Sequence, residues 1–120
     1  MARGDDIEDR LIDFAVRVIH LCESLPANHI ASLHIKKQLV RSATAPAPNY
    51  GEARNAESSK DFIHKLKISL KELNESRIWL KMIVRAEIVK AELLEELLDE
   101  CDQLCRILSA SIHTARNNQN

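Results

Sequence analysis

Between Ser58 and Ala86 the residues Phe62, Leu66, Ser69, Leu73, Ser76, Leu80 and Ile83 recur at alternating steps of four and three. A period of about 3.5 residues keeps one seam pointing the same way along a whole helix, so such a helix packs lengthwise against others at a shallow, left-handed angle. Ile63, Leu70 and Val84 widen the seam. At about 1.5 Å per residue the stretch is roughly 43 Å long. A helix of that length with one apolar face needs partners of comparable length. Ser58-x-x-Asp61 supplies a near capping box at its start.

The rest of the chain supplies those partners. Ile7, Leu11, Phe14, Val18, Cys22 and Leu25 form one stripe over about residues 6–25, with Asp5, Asp6, Glu8 and Asp9 crowded at the dipole's positive end and Pro26 as the stop. A second helix is expected over about 28–54, capped by Asn28, with Ile35, Leu39, Ser42, Pro46 and Ala53 on its inner seam. Pro46 and Pro48 each remove an amide donor, which predicts a kink there; the alternative is an end at Ala45 and a short new piece from Pro48. The last helix is expected over about 90–116, with Leu94, Leu97, Cys101, Leu104, Leu108 and Ile112 inside, and Asn117 to Asn120 as a frayed tail. Two Gly and three Pro in 120 residues cannot supply the turns of an all-β fold. The expectation is therefore one all-α domain over residues 1–120, an antiparallel up-down-up-down four-helix bundle whose second helix is kinked near Pro46 and Pro48.

Cys22, Cys101 and Cys105 are an odd number, which fits a reducing compartment, and their spacing to histidines favours core packing over metal binding. With no apolar leader pattern in Met1 to Asp6 and no stretch of about 20 apolar residues, the expected location is cytoplasmic, without a membrane partner.

Charge is uneven along the chain. The total is −1. Residues 1–29 hold 3 basic and 6 acidic side chains, residues 30–81 hold 10 and 5, and residues 82–120 hold 4 and 7. Two readings of the basic middle stay open. Lys36, Lys37, Arg41, Arg54, Lys60, Lys65, Lys67 and Lys71 can form a phosphate-facing surface for RNA or DNA. Alternatively they pair with acidic faces of neighbouring helices or subunits. One Tyr and one Trp supply few platforms for stacking bases.

A bundle that holds two irons draws Glu from two helices and Glu-x-x-His from two more. This chain offers only Asp61-x-x-His64 at a helix start and Glu72-x-x-Glu75 without a His. It has no phosphate-cradling glycine loop, nucleophile elbow or HExxH, so no enzyme, cofactor or small-molecule substrate is expected. Arg41 and Glu52 lie three turns apart on the expected second helix, about 16 Å along its axis, too far to pair. Each is expected to find partners on another helix, Arg41 with Glu72 or Glu75.

Gln38-Leu39-Val40-Arg41-Ser42-Ala43-Thr44, then Asn49-Tyr50-Gly51-Glu52-Ala53, Asp61-Phe62-Ile63-His64-Lys65-Leu66-Lys67-Ile68, Leu70-Lys71-Glu72, Asn74-Glu75-Ser76 and Trp79-Leu80 follow one another in an order that resembles the 23S ribosomal-RNA intervening-sequence protein family. The similarity spans about residues 8–116. It implies an antiparallel four-helix bundle and, for several relatives, a cyclic homopentamer. A distant likeness to the accessory protein of diversity-generating retroelements implies a basic nucleic-acid-binding surface. Arg41, Ser42, Asn49, Glu52, Phe62, Lys65, Glu72, Glu75 and Trp79 sit on the family's recurrent positions, and for all of them but Lys65 a structural role is expected. Ala43 replaces a common glycine, and Ala45-Pro46-Ala47-Pro48 carries one proline more than is usual. Ile12, Ile19, Ile78 and Leu93, apolar yet off the inner seams, motivate association with further copies.

Overall fold

A computed structural model describes residues 3–118. The chain forms α1 (Arg3–Ser24), α2 (Ile30–Thr44), α3 (Pro46–Arg54), α4 (Ser59–Arg85) and α5 (Glu95–Asn117), with a single 3-10 turn at Ala91–Leu93 before α5. α2 and α3 are two halves of one rod bent by 15°, so the molecule is an antiparallel four-helix bundle 51 Å long and 24 by 22 Å across. The α2–α3 rod and α5 each touch both α1 and α4, which places α1 and α4 on the diagonal.

The inner stripes meet as the spacing predicts. Leu11, Phe14, Val18, Leu39, Leu66, Leu73, Leu80, Ile83, Leu104 and Leu108 are fully buried, and so are the seam residues Ser42, Ser69 and Ser76. Small side chains on facing positions let α2–α3 and α4 approach closely. Ser42 and Ser76 share a hydroxyl–hydroxyl hydrogen bond of 2.8 Å, and the Ser69 hydroxyl donates to the Pro46 carbonyl at 3.0 Å. The kink follows from chemistry at Ala45, whose backbone stays helical while Pro46 and Pro48 offer no amide hydrogen. Asn49 closes the gap, donating to the Ala45 carbonyl from its backbone at 3.3 Å and from its side chain at 2.9 Å. The chain does not break at Ala45 and restart at Pro48.

The helix ends show where local signals sufficed. Ser58 is the N-cap of α4 and its hydroxyl accepts from the Asp61 amide at 3.1 Å. Asn28 is not a cap. His29 is extended and holds that position, and α2 starts at Ile30, because burying Leu25 leaves Pro26 to Asn28 to make the turn. The C-terminal end of α1 is closed by the Lys36 ammonium, which donates to the Leu25 carbonyl at 3.2 Å, a favourable place for a cation.

The last helix begins at Glu95, five residues after the expected Lys90, and the reason lies at the end of α4. The Ile88 amide bonds back to the Ile83 carbonyl at 3.1 Å and the Glu87 amide to Val84 at 3.0 Å, the paired closure of a Schellman motif, with Glu87 at φ 57°. A glycine usually fills that left-handed position; with glutamate there, sequence carried no stop signal. A side chain at such a φ costs roughly 1–2 kcal/mol, part of which glycine returns as unfolded-chain entropy. Glu87→Gly is therefore expected to raise stability by about 0.5–1 kcal/mol in urea unfolding; a loss of stability would mean that the turn uses the side chain. Asn117, expected in the frayed tail, is instead the last residue of α5, with Asn118 as its cap, and Gln119 and Asn120 lie outside the described residues.

Candidate nucleic-acid interface

Helical geometry first decides which basic side chains remain available. Four of the eight candidates are engaged inside the chain. Arg54, at the end of α3, reaches the first turns of α1 and pairs with Asp5 at 2.8 Å and Glu8 at 3.5 Å. Lys65 of α4 pairs with Glu52 of α3 at 3.5 Å. Lys36 closes α1, as above. Arg41 of α2 donates to Glu72 at 2.9 Å and also bonds Glu75, both on α4. These contacts bring Arg41, Glu72, Glu75 and Trp79 together, and give Glu52 a partner on another helix.

Glu75 sits at the centre of that set. Its Oε2 also accepts from the Trp79 indole at 3.0 Å, and the Trp79 ring meets His34 of α2 edge-on with centroids 5.9 Å apart. The indole hydrogen bond, then Arg41, hold the Glu75 carboxyl below its ordinary 4.5. A lowered folded value means stabilisation that is complete above pH 4.5 and lost as pH falls through the lowered value. Glu75→Gln is expected to lose stability less steeply with acid than the parent, read from urea midpoints between about pH 3 and 6. Equal slopes would assign the acid sensitivity to other carboxylates. With both carboxylates of the Glu72–Glu75 pair committed to Arg41, the set holds α2 in register on α4. Asn49 serves the kink, Ser42 the seam, and half-buried Phe62 packs against the core.

The cysteines are buried as well. Cys101 donates to the Leu73 carbonyl at 3.3 Å, and its thiol is pushed up by its contact with Cys105 and by burial. Among the described residues no three His, Cys, Asp or Glu side chains converge to hold a metal ion. Among the described residues no helix is long and apolar enough to cross a membrane.

Lys60, Lys67 and Lys71 are different. With His64, Asn74, Ile78, Lys81 and Arg85 they repeat at alternating steps of four and three along α4, out of phase with the inner seam, and all but half-buried Asn74 are exposed. This outer face runs about 37 Å. The three acidic residues of α4 are Asp61, Glu72 and Glu75, none of them in the row, and the last two turn to Arg41. Lys37 is exposed on α2. A count by segment hides Lys81 in the basic middle and Arg85 in the acidic last third, and His64 stands out in sequence only beside Asp61; the signal that finds all three is the second heptad phase of α4. At the start of that row, Lys60, Ile63, His64 and Lys67 line a cleft of about 280 Å³ together with Arg116 from the last turn of α5.

Ion pairs on the other seams are structural. Arg10 forks onto Glu100 at 2.7 and 3.0 Å and Arg17 reaches Glu96 at 4.0 Å, tying α1 to α5, while Arg77 pairs with Asp102 at 3.2 Å between α4 and α5. On α1, Ile12, Val16 and Ile19 form an exposed apolar stripe, 44%, 42% and 38% accessible. Ile78 and Leu93 are exposed too.

Residues 6–110 match the family model described as 23S rRNA-intervening sequence protein. No curated protein matches the sequence. Among solved structures, the chain is similar to a protein of unknown function from the S23 ribosomal protein family of Bacteroides thetaiotaomicron VPI-5482, with 33% identity and a TM-score of 0.85 over 93% of this chain and 99% of that one.

Proposed function

The chain belongs to the 23S rRNA-intervening sequence protein family, and from that premise we propose that it is a non-enzymatic binding protein whose α4 outer face lies along the phosphate backbone of RNA or DNA. The observation that carries this reading is the row Lys60, His64, Lys67, Lys71, Lys81 and Arg85, exposed along one helix and free of carboxylates. The near-neutral total is no obstacle, since the acidic residues that balance it sit largely on α1 and α5. Few aromatic side chains mean contacts to phosphates rather than stacked bases, hence weak sequence preference and strong salt dependence. Fluorescence anisotropy with a labelled ribosomal-RNA fragment across a salt series tests it. Binding that is tight at low salt and falls steeply with salt is expected; no binding at low salt, or no salt dependence, overturns it.

The α1 stripe favours a companion reading in which copies of the chain assemble, most simply into the ring of five that the family resemblance implies. Ile12, Val16 and Ile19 are the contact in this reading, and α4 stays free. Light scattering at micromolar concentration is expected to give a multiple of 13.6 kDa; the monomer mass would overturn the assembly. If the α4 row is covered in that assembly, the protein is a structural oligomer with no nucleic-acid role.

A further inference from the structure

Beyond Lys67 the row's cations are single and spaced, Lys71, Lys81 and Arg85 with Asn74 and Ile78 between, which suits one phosphodiester charge at a time. At the start of the row the arrangement changes. Lys60, His64 and Lys67, at i, i+4 and i+7, are met by Arg116 from the antiparallel α5, and the four surround one cleft of about 280 Å³ with Ile63 at its floor. Among the described residues none of the four is held in an ion pair, in contrast to Arg41, Arg54 and Lys65. Asp61, the nearest acid in sequence, lies about 100° around the helix from Lys60 and does not line the cleft.

Resting on the nucleic-acid reading above, we propose that this cleft is a subsite for a terminal phosphomonoester of a nucleic-acid strand, held by Lys60, His64, Lys67 and Arg116. Three fixed cations converging on one small volume exceed what a singly charged internal phosphodiester neutralises. They match a phosphomonoester, which carries about −1.5 to −2 at pH 7 and offers three oxygens to donors. Arg116 supplies the planar fork that grips two of those oxygens, and the lysines act as point charges on the rest. The cleft lies at one end of the bundle and in line with the α4 row, so a strand anchored there by its end continues along Lys71, Lys81 and Arg85. An internal stretch of the same strand can occupy the row but leaves the cleft's charge partly unmatched.

The test compares two labelled single-stranded oligonucleotides of one sequence, ending in 5′-phosphate or 5′-hydroxyl, with 3′ ends alike. The phosphorylated strand is expected to bind roughly two- to fivefold more tightly, in line with one added exposed charge contact. In Lys60→Gln/Arg116→Gln the two strands are expected to bind alike, and somewhat more weakly than the parent binds the hydroxyl strand, because Lys60 also belongs to the row. In the parent, inorganic phosphate is expected to move the His64 ring signals in an NMR titration, and in the double variant to leave them still. Equal affinity of the parent for both strands overturns the subsite while leaving the row's binding intact. Failure of either strand to bind, with inorganic phosphate still moving His64, overturns the nucleic-acid reading instead. The variants exchange exposed side chains, so circular dichroism is expected to match the parent.

Discussion

Lys71→Gln/Lys81→Gln/Arg85→Gln is expected to flatten the salt dependence of nucleic-acid binding and to weaken binding by more than an order of magnitude at physiological salt. Each phosphate contact to a single strand contributes about 0.7 to the slope of log affinity against log salt, so three lost contacts remove about two. Counted down from 1 M, where counterion release contributes little, that slope amounts to about fiftyfold at 0.15 M. The three side chains are exposed on the outer face of α4, so the core and the Arg41 set remain. Arg54→Gln is the control for position. It removes one positive charge against three, from a guanidinium already taken by Asp5 and Glu8, and is expected to leave the slope unchanged. Anisotropy at four salt concentrations separates the two. An unchanged slope in the triple variant would mean that phosphates lie elsewhere; a loss in Arg54→Gln of about a third of the triple variant's would reduce the effect to overall charge.

Ser76→Leu is expected to cost about 2–4 kcal/mol of folding stability. Ser42 and Ser76 are both 0% exposed and meet across the α2–α4 seam at 2.8 Å. Three added heavy-atom carbons in a close-packed seam cost roughly 1–3 kcal/mol in forced separation, and the lost hydrogen bond adds about 1. Pushing α2 outward there also strains the contacts of Arg41 with Glu72 and Glu75, which sit one turn or less away on α4. Ser42→Ala/Ser76→Ala, by contrast, removes both partners and keeps the shape nearly constant, so it is expected to lie within about 1 kcal/mol of the parent. Urea unfolding of the three proteins gives the comparison. A loss below about 1 kcal/mol in Ser76→Leu would show that the seam opens without penalty, and the serines would then not explain the close approach.

Much of the fold was legible because helix-forming information is local. The seam residues of α1, α4 and α5 are inside, Ser58 caps α4, and Pro46 bends a rod rather than ending it, all from spacing and the chemistry of single residues. The pairing of Arg41 with Glu72 and Glu75 was legible too, since a cation on one inner edge had to meet carboxylates on the next helix. The start of α5 was not. Glu87 holds a left-handed turn that glycine normally marks, and Leu94 is buried before the last helix begins, so the apolar period runs on through a turn that is not helical. The candidate site was legible only as a region. A segment count weighs Arg54 and Lys67 alike, yet one is neutralised by α1 and the other is exposed on α4 with no ion pair among the described residues.

Sequence alone determined the helical class, the four rods, the bend and the basic character of the middle of the chain, because each depends on residues within a few turns of one another. The near-zero net charge hid that character, and only tertiary structure decided which cations it leaves available. Antiparallel packing carries Asp5 and Glu8 to Arg54, Glu52 to Lys65 and Glu72 to Arg41, and brings Arg116 from the far end of the chain to Lys60 and Lys67. Coulomb attraction acts through space, not along the chain, so the partners of a charge are set by the fold that delivers them.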